Sequence, residues 1–367
     1  MNIGINGYEA VVSRFGLSKD SLPNRVGSSE LCYQLLLGLS KIDKNNTYYI
    51  YLPISPTNDM PKESENWKYI VFSSIKLWTL LGLSRKLKGN PQNLDVFFSP
   101  THYSPISSLK SVIAILDVSY LHFKSLFKKT DLYKLKYWGG YSIQKASKVI
   151  TISNSSKSDI IKSYRLNPEK VVVVYPGIKS ETNSKSKMKN SKKYILFVGT
   201  LQPRKNLVRL IEAFSKLNSD LELLVIGKKG WQYEEILDAP KRYGVSERIK
   251  FLHDVSEGEL PQYYKNAEML VLPSLYEGFG LPVLEAMSYG CPIITSNRSS
   301  LPEAGGDAAL YVDPENVSDI AGKMNKLLND DSLRHELIKK GKEQVKKFSW
   351  EKAAKETLRV LENVANG

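Results

Sequence analysis

The sequence of 367 residues lacks the short motifs that mark several large classes of enzymes. It contains no G-x-x-x-x-G-K-[ST] motif of P-loop proteins, and "GINGYE" near its start fails the G-x-G-x-x-G dinucleotide fingerprint. There is no H-E-x-x-H, no paired C-x-x-C and no D-x-D, and the four histidines are scattered. These absences predict a protein that holds no metal ion.

Cysteines and long apolar runs are also scarce. Cys32 and Cys291 lie far apart between apolar or small neighbours, which predicts two buried, reduced thiols. No apolar run reaches the length of about 18 residues that a membrane span needs. The opening "MNIGINGYEAVV" lacks the charged and apolar regions of a signal peptide. The expected location is the cytoplasm.

Positive charge is present in excess and is unevenly distributed. The net charge is +14, and residues 1–180 hold 24 Lys and Arg against 12 Asp and Glu, whereas residues 181–367 hold 28 against 26. The basic first half predicts an anionic partner, such as nucleic acid, an anionic membrane surface or a phosphorylated substrate.

Short β-branched or aromatic runs alternate with stretches of helical period in both halves, which predicts parallel α/β sheets. The first half contains "NIGING", "TYYIYLP", "DVFFSP", "SVIAILD", "KVITIS" and "KVVVVYPG"; the second contains "YILFVGT", "LELLVIG", "RIKFLH", "EMLVLPS", "PIITSN" and "ALYVDP". Between them, 179–193 has the composition of a linker. The length also favours two domains.

Two loops offer positive charge or free N–H groups to an anion. In "NRVGSSEL", Gly27 precedes a helix whose expected N-cap is Ser28 or Ser29, and such a helix start is either an anion site or an ordinary cap. In "LQPRKN", Arg204 and Lys205 follow a strand and precede a helix that we expect near residue 206. They suit a diphosphate, although two solvated surface bases would give the same pattern.

A third loop, "SLYEGFGLPVLEAMSYG", places two carboxylates around a glycine turn. Glu277 lies in the loop, and Glu285, eight residues later, is expected in the first turn of a helix from Leu281. Gly278 and Gly280 permit backbone conformations that side chains disfavour. A glutamate early in a helix favours the helix dipole whatever its function, but that does not explain Glu277. Both carboxylates are expected to face one pocket, with the backbone N–H groups of 279–281 between them.

These stretches resemble the retaining glycosyltransferases of family 4, in particular the mannosyltransferase-like enzymes of bacterial and archaeal surface polysaccharides. The resemblance covers essentially the whole chain and is strongest over 194–314 and in "FSWEKAA". It implies an α/β GT-B fold, in which two Rossmann-like doubly wound domains face each other across a cleft. An acceptor-binding domain would span 1–178 and be rejoined by a helix at about 350–367; 194–349 would bind the nucleotide-sugar.

The resemblance also assigns roles to individual residues. Glu277 would face the donor sugar, Glu285 would hold the ribose hydroxyls, and Arg204 with Lys205 would neutralise the diphosphate leaving group without a metal or cofactor. Gly27 would approach that diphosphate from the other domain. The remaining donor contacts would be made at Gly199, Val255, Gly278, Phe279, Gly280 and Leu281.

One position departs from the family pattern. Relatives often have His-Asp after a strand of the N-terminal domain, where this sequence has Leu116 and Asp117. Asp117 would contact acceptor or donor sugar. His122, five residues further on, would replace the missing histidine, meet the acceptor or simply pack.

The partners are only partly specified by the sequence. The motifs favour GDP-mannose over UDP-sugars as donor, and a glycan or lipid-linked molecule as acceptor. "SIKLWTLLGLSRKLKG" and "FKSLFKKTDLYKLKYW" mix bases with apolar residues, as helices on an anionic membrane do, although a helix covering the core with a basic outer face has the same composition. Another GT-B enzyme, such as a sugar-nucleotide epimerase, is the alternative. A nucleic-acid-binding protein is a distant one, because no recognition motif gathers the charge.

Overall fold

The computed structural model describes residues 1–12, 22–23, 25–73, 77–178, 192–256 and 258–367. The chain forms two compact units: unit 1 comprises Met1–His122, Phe127–Gly177 and Ser349–Gly367, and unit 2 comprises Phe123–Leu126 and Ile178–Phe348. Most of the predicted linker 179–193 lies outside the described residues. Every helix in the described ranges is too short or too polar to cross a bilayer.

A parallel sheet forms the centre of unit 1, and its inner strands are short, buried and rich in β-branched and aromatic residues, as expected for a sheet covered on both faces. Its order is β3-β2-β1-β4-β5-β6-β7. The strands are β1 (Asn2–Asn6), β2 (Thr47–Leu52), β3 (Trp67–Val71), β4 (Val96–Ser99), β5 (Ser111–Ala114), β6 (Lys148–Thr151) and β7 (Val171–Val173).

The helices of unit 1 cover this sheet. The helix Ser28–Ile42 buries an apolar stripe formed by Leu31, Leu35, Leu36 and Leu39. The helices are α1 (Tyr8–Val11), α2 (Ser28–Ile42), α3 (Ser84–Lys86), α4 (Ser119–His122), α5 (Lys129–Lys134), α6 (Gly140–Lys145) and α7 (Asn154–Tyr164), with π-helical turns at Trp78–Leu83 and Leu135–Gly139 and the C-terminal helix, α15 (Trp350–Asn366). Helix α15 lies against α2 so closely that a Cβ on Gly38 would come within 2.6 Å of the Cβ of Ala354.

Unit 2 repeats the plan with a second parallel sheet of order β10-β9-β8-β11-β12-β13. The strands are β8 (Tyr194–Val198), β9 (Glu222–Ile226), β10 (Ile249–Leu252), β11 (Met269–Leu272), β12 (Ile293–Ser296) and β13 (Ala309–Val312). The helices are α8 (Leu207–Ser215), α9 (Glu234–Arg242), α10 (Leu260–Asn266), α11 (Leu281–Ser288), α12 (Leu301–Gly305), α13 (Val317–Asn329) and α14 (Asp331–Val345).

The strand order of unit 2 brings two distant loops together. Chain order runs outward from β8 to β9 on one side, and from β11 to β12 on the other, so β8 and β11 are neighbours where the winding reverses. The loops after these strands, 199–206 and 273–280, therefore leave the same sheet edge side by side. This reversal is the usual place for a ligand in a doubly wound sheet.

The predicted alternation of strands and helices is confirmed, and a few local expectations are wrong. Strand β3 was not foreseen, because at the sheet edge it keeps several residues partly exposed. Helix α2 starts at Ser28 with Gly27 as its N-cap, and Ser29 Oγ bonds to the backbone of Val26 instead of capping the helix. Glu285 is the fifth residue of α11, beyond its first turn.

Candidate active site

The loop after β8 presents Arg204 and Lys205 from a single turn of 3-10 helix, Pro203–Lys205. The turn is fixed to the loop after β11 in two ways. The backbone N–H of Leu275 donates to the carbonyl of Arg204 at 2.8 Å, and Asn206 Nδ2 donates to the carbonyl of Pro273 at 3.0 Å. These bonds hold the two basic side chains beside the glycine turn that carries Glu277.

Glu277 is the centre of this cluster. One carboxylate oxygen accepts from Lys205 Nζ at 2.5 Å and from Ser274 Oγ at 2.7 Å. The other accepts from Arg204 NH1 at 3.0 Å, and the same guanidinium nitrogen donates to the carbonyl of Tyr276 at 2.7 Å. The side chains of Lys205 and Glu277 are only 9% and 8% exposed. The trio of Arg204, Lys205 and Glu277 carries a net charge of +1 in a nearly dry setting.

The charge of Glu277 is maintained by its cationic neighbours. Burial by itself raises the pKa of the carboxyl group, but the charges of Lys205 and Arg204 and the hydrogen bonds from Lys205 and Ser274 outweigh it and lower the pKa to about 2. The group is therefore ionised at every physiological pH. Such a carboxylate can accept hydrogen bonds or stabilise positive charge, but it cannot supply a proton.

The backbone of Glu277 is held as firmly as its side chain. Its carbonyl accepts from Ser299 Oγ at 2.6 Å and from Ser300 Oγ at 2.8 Å, and its N–H donates to Ser299 Oγ at 3.2 Å. Both serines belong to the loop after β12, the next strand of the sheet. The loops that follow three neighbouring strands of the sheet, β8, β11 and β12, thus fix the position of Glu277.

Glu285 is positioned differently, on the helix that follows the glycine turn. Gly280 adopts φ 105°, a conformation that favours glycine, and a Cβ there would lie 2.8 Å from Leu301 Cδ2 and force that methyl group to shift. The half-buried Glu285 accepts a hydrogen bond at 2.9 Å from the hydroxyl of the buried Tyr264 on α10. Burial and this carboxylate raise the pKa of Tyr264 well above its ordinary value, which keeps the hydroxyl a donor.

The other residues expected to meet the donor also lie in unit 2. Gly199 follows β8, and Val255 lies half-exposed after β10. The Phe279 side chain is buried against Phe348, with ring centroids 5.4 Å apart, so its backbone is the part left to meet a ligand. Leu281 begins α11, directly after Gly280 and the buried Gly278.

The residues expected from unit 1 lie near the carboxyl edge of its sheet. Gly27 adopts φ 59°, and a Cβ placed on it would meet no atom of the described residues within 4 Å. Leu116 and Asp117 follow β5, and Asp117 Oδ1 accepts from the N–H of Ser119 at 2.8 Å. His122 Nε2 lies 3.6 Å from Asp159 Oδ2, so this histidine has a carboxylate neighbour within its own unit.

Sequence reasoning missed the side chains that hold the glutamates in place. Ser274 had a signal, because it ends the stretch "EMLVLPS" three residues before Glu277. Ser299 and Ser300 lie in the turn-rich stretch "TSNRSSLPEAGG" after a strand, a position that favours packing around the Glu277 loop, although the individual bonds are not specified by the sequence. Tyr264 had no signal, since only the packing of separate helices brings it to its partner. Sequence reasoning treated Arg204 and Lys205 as diphosphate ligands or as solvated surface bases, whereas the structure pairs both with Glu277.

The sequence matches two family profiles that together span most of the chain. The profile described as "Glycosyltransferase Family 4" matches residues 55–182, and "Glycosyl transferases group 1" matches 179–344. The O-antigen chain mannosyltransferase B of Escherichia coli is 31% identical over 277 residues, which are 72% of this chain and 73% of that protein. This chain belongs to glycosyltransferase family 4. The MMP alpha-(1->4)-mannosyltransferase of Mycolicibacterium hassiacum is 29% identical over 222 residues, covering 58% of this chain and 53% of that one.

Solved structures agree with the fold of this glycosyltransferase. Sucrose-phosphate synthase of Thermosynechococcus elongatus superposes with a TM-score of 0.74 at 17% identity, over 99% of both chains. Anabaena HepE, in complex with UDP and glucose, superposes with a TM-score of 0.73 at 16% identity, over 99% of this chain and 100% of that one. The predicted GT-B fold, with two Rossmann-like parallel-sheet domains, is confirmed, as is the prediction of a transferase.

Proposed function

We propose that this glycosyltransferase moves a hexose, with mannose favoured, from a nucleoside-diphosphate sugar to a glycan or lipid-linked acceptor. We propose further that the reaction retains the anomeric configuration and needs no metal. Two of its relatives are named mannosyltransferases, which supports mannose as the sugar. GDP-mannose is accordingly favoured over UDP-sugars as donor.

The observation that carries the proposal is the ionised, buried Glu277 where the winding of the second sheet reverses. A carboxylate there can accept hydrogen bonds from the hydroxyls of the donor sugar. It can also stabilise the positive charge that develops at the anomeric carbon as the bond to phosphate breaks. Because its pKa is about 2, it does not act as the proton donor of the reaction.

Arg204 and Lys205 supply the complementary charge. After pairing with Glu277, the trio retains one positive charge, which attracts the diphosphate of the donor. Arg204, at 19% side-chain exposure, is more accessible than Lys205 and is the better placed of the two to reach a phosphate oxygen. Negative charge grows on that oxygen as the glycosidic bond breaks, so the cations stabilise the transition state more than the bound substrate.

The bonds and protons of the proposed step balance without a metal or an external base. The bond between the anomeric carbon and the phosphate oxygen breaks, and the nucleoside diphosphate leaves with that electron pair. The acceptor hydroxyl attacks from the same face, and its proton passes to the departing phosphate oxygen. The products are the extended acceptor and the nucleoside diphosphate.

The remaining donor contacts follow from the same placement. Glu285 would hold the ribose hydroxyls, exchanging or sharing its bond from Tyr264. The sugar and diphosphate would be lined by Gly199, Gly278, Gly280, Leu281 and the backbone of Phe279. Val255 would line the base, and Gly27 would contact the diphosphate.

We assign the acceptor to unit 1, which contains most of the excess positive charge. Asp117 and His122 are its candidate polar contacts. A lipid-linked acceptor would require the enzyme to work at the inner surface of a membrane, and the basic stretches at residues 77–89 and 123–138 would then face anionic lipid. The proposed location is the cytoplasm, including this peripheral position.

Thermal unfolding with GDP, UDP, ADP and their common sugars, all in the presence of EDTA, tests the donor assignment. A ligand at about 100 times its dissociation constant adds about 2.7 kcal/mol to the folded state, so the melting temperature should rise with GDP and GDP-mannose. If the melting temperature rises with UDP-sugars alone, GDP-mannose is not the donor. If it rises with no nucleotide, the proposed donor site is wrong. Product analysis then separates sugar transfer from the epimerase alternative, which would leave a changed nucleotide-sugar and no extended acceptor.

A further inference from the structure

Unit 1 contains a pocket of about 330 Å³ that the proposed transfer does not use. It is bounded by the loop between β4 and β5, the C-terminal end of α6 and the residues just before β6. Six serines and two lysines are among its eleven lining residues, all of which are described, and none of the eleven is acidic.

The pocket lies at the opposite edge of the sheet from the residues assigned to the acceptor. Ser111 is the first residue of β5, and Ser147 directly precedes β6, so both mark the amino edge of the parallel strands. Asp117 instead follows the carboxyl end of β5. A ligand in this pocket would therefore bind without displacing one at the carboxyl edge.

Hydroxyl groups are the main hydrogen-bonding groups of the pocket. Ser142 Oγ is already committed, since it accepts from the N–H of Ser104 at 3.0 Å and donates to the carbonyl of Trp138 at 2.9 Å. Ser107 and Ser108 are exposed, and their hydroxyls bond to no other group in the described part of the chain. They remain available as donors to a ligand.

The charges of the pocket are positive. Lys145, the last residue of α6, has no carboxylate within ion-pair distance among the residues that the structure describes. Lys110 Nζ donates to the carbonyl of Ala365 at 3.1 Å and keeps two further protons. A phosphate group needs hydrogen-bond donors, which the ammonium and hydroxyl groups of this pocket supply. A neutral sugar also has hydroxyl protons to donate, and the pocket has no carboxylate or side-chain amide to accept them.

An exposed row of tyrosines leads away from the pocket. Tyr141 lines it, and Tyr137 and Tyr133 precede it at intervals of four residues along the same helical stretch. The three are 45%, 53% and 59% exposed, and the rings of Tyr133 and Tyr137 lie 4.5 Å apart. Tyrosines with an apolar ring and a polar hydroxyl are enriched at the level of lipid headgroups.

We propose that this pocket binds the phosphate of an anionic lipid headgroup, with Lys145, Ser107 and Ser108 as its donors and the tyrosine row beside it in the headgroup layer. The proposal rests on the membrane contact included in the proposed function and gives that contact a specific site. It is independent of the donor and of the sugar transferred.

Co-sedimentation with vesicles of phosphatidylglycerol and phosphatidylcholine tests the site. Lys145→Ala and the double variant Ser107→Ala/Ser108→Ala should each bind phosphatidylglycerol vesicles about tenfold more weakly than the wild type. Lys41→Ala removes one exposed lysine of unit 1 outside the pocket and is the matched control, expected to change binding less than twofold. If Lys145→Ala and Lys41→Ala weaken binding equally, general charge attraction explains the result and the site is wrong.

A soluble probe distinguishes a lipid from a free phosphate compound. Titration calorimetry with glycerol 3-phosphate should give weak binding that Lys145→Ala removes. If that binding is lost while vesicle binding is unchanged, the pocket takes a soluble phosphate and the lipid assignment is overturned. Thermal shifts with nucleotides should be the same in Lys145→Ala and in the wild type, so failure of this proposal is separable from failure of the donor site.

Discussion

Two glutamates of unit 2, eight residues apart, are held in contrasting ways. Glu277 is buried and bonded to Lys205, Arg204 and Ser274, with its backbone fixed by two further serines. Glu285 is half-buried and receives a neutral hydrogen bond from Tyr264. The first belongs to a charged network built by three loops, and the second lies on one helix.

The contrast indicates a division of labour between the two carboxylates. A buried charge compensated by two cations is costly to disturb, so we expect Glu277 to contribute to stability in addition to its proposed role in the reaction. Glu285 receives its bond from a neutral hydroxyl, so exchanging that bond for one from a ligand hydroxyl should cost less than breaking an ion pair. Changes at Glu277 should therefore affect turnover and folding together, and changes at Glu285 should affect donor binding alone.

The largest expected effect is on turnover. Glu277→Gln should lower kcat/KM about a thousandfold, mostly through kcat, because it removes the charge that we propose faces the transition state. Glu285→Gln should raise the KM for the donor about tenfold with kcat nearly unchanged. Steady-state kinetics of both variants provide the measurement.

Glu343→Gln is the matched control for these variants, because Glu343 on α14 is an exposed glutamate that pairs with Lys346, the residue after that helix. It should leave both kinetic constants unchanged. If Glu277→Gln and Glu285→Gln change kcat by the same factor and KM by the same factor, the two glutamates do not have separate roles and the proposed division of labour is wrong.

The next largest expected effect is the loss of folding stability at acid pH that follows from protonation of Glu277. The pKa of Glu277 is about 2 in the folded protein, below its ordinary value of 4.5, so its ionised form stabilises the fold. This contribution, about 3 kcal/mol, is fully present above pH 4.5 and is lost as the pH falls towards 2. Urea unfolding between pH 6 and pH 3 should show a steeper loss in the wild type than in Glu277→Gln. Parallel curves for the two proteins would contradict the ion-paired state of Glu277.

A double-mutant cycle tests the partnership of Glu277 and Lys205 directly. Glu277→Gln leaves Lys205 buried without its countercharge and should cost about 3 kcal/mol of unfolding free energy. Lys205→Met in that background removes the unpaired charge and should recover about 2 kcal/mol. Urea titration of the wild type, both single variants and the double variant gives the coupling; additive changes would mean that the two residues do not interact.

Most of the fold could be predicted because each central strand is a short, buried run with its own sequence signal. "YILFVGT" and "EMLVLPS" are examples, and both become inner strands of the second sheet. Edge strand β3 was missed because its exposure mixes polar with apolar residues. The order of strands in each sheet was not predicted, since local sequence does not say which strands pair.

The site was predictable as a set of loops but not as a network. Arg204, Lys205 and Glu277 each lie just after a strand, so their convergence at one sheet edge follows from the parallel topology. That the cations would neutralise the glutamate depends on side-chain distances of 2.5 to 3.0 Å, which no spacing in the sequence specifies. The hydrogen bond between Tyr264 and Glu285 joins two helices, and it likewise has no signal in the sequence.

The smallest effect separates the positioning of Glu285 from its charge. Tyr264→Phe removes only the hydroxyl that bonds to Glu285, so stability should fall by about 1 kcal/mol and the donor KM should rise a few-fold, with kcat unchanged. The matched control is Tyr289→Phe, because the ring of Tyr289 lies 6.0 Å from that of Tyr264 and its hydroxyl has no hydrogen bond within the described residues. Donor titrations and urea unfolding of both variants give the comparison. If Tyr264→Phe and Tyr289→Phe have equal effects on stability and on the donor KM, Tyr264 contributes aromatic packing and not its bond to Glu285. If Tyr264→Phe lowers kcat, Tyr264 acts in the same network as Glu277, and the contrast between the two glutamates is removed.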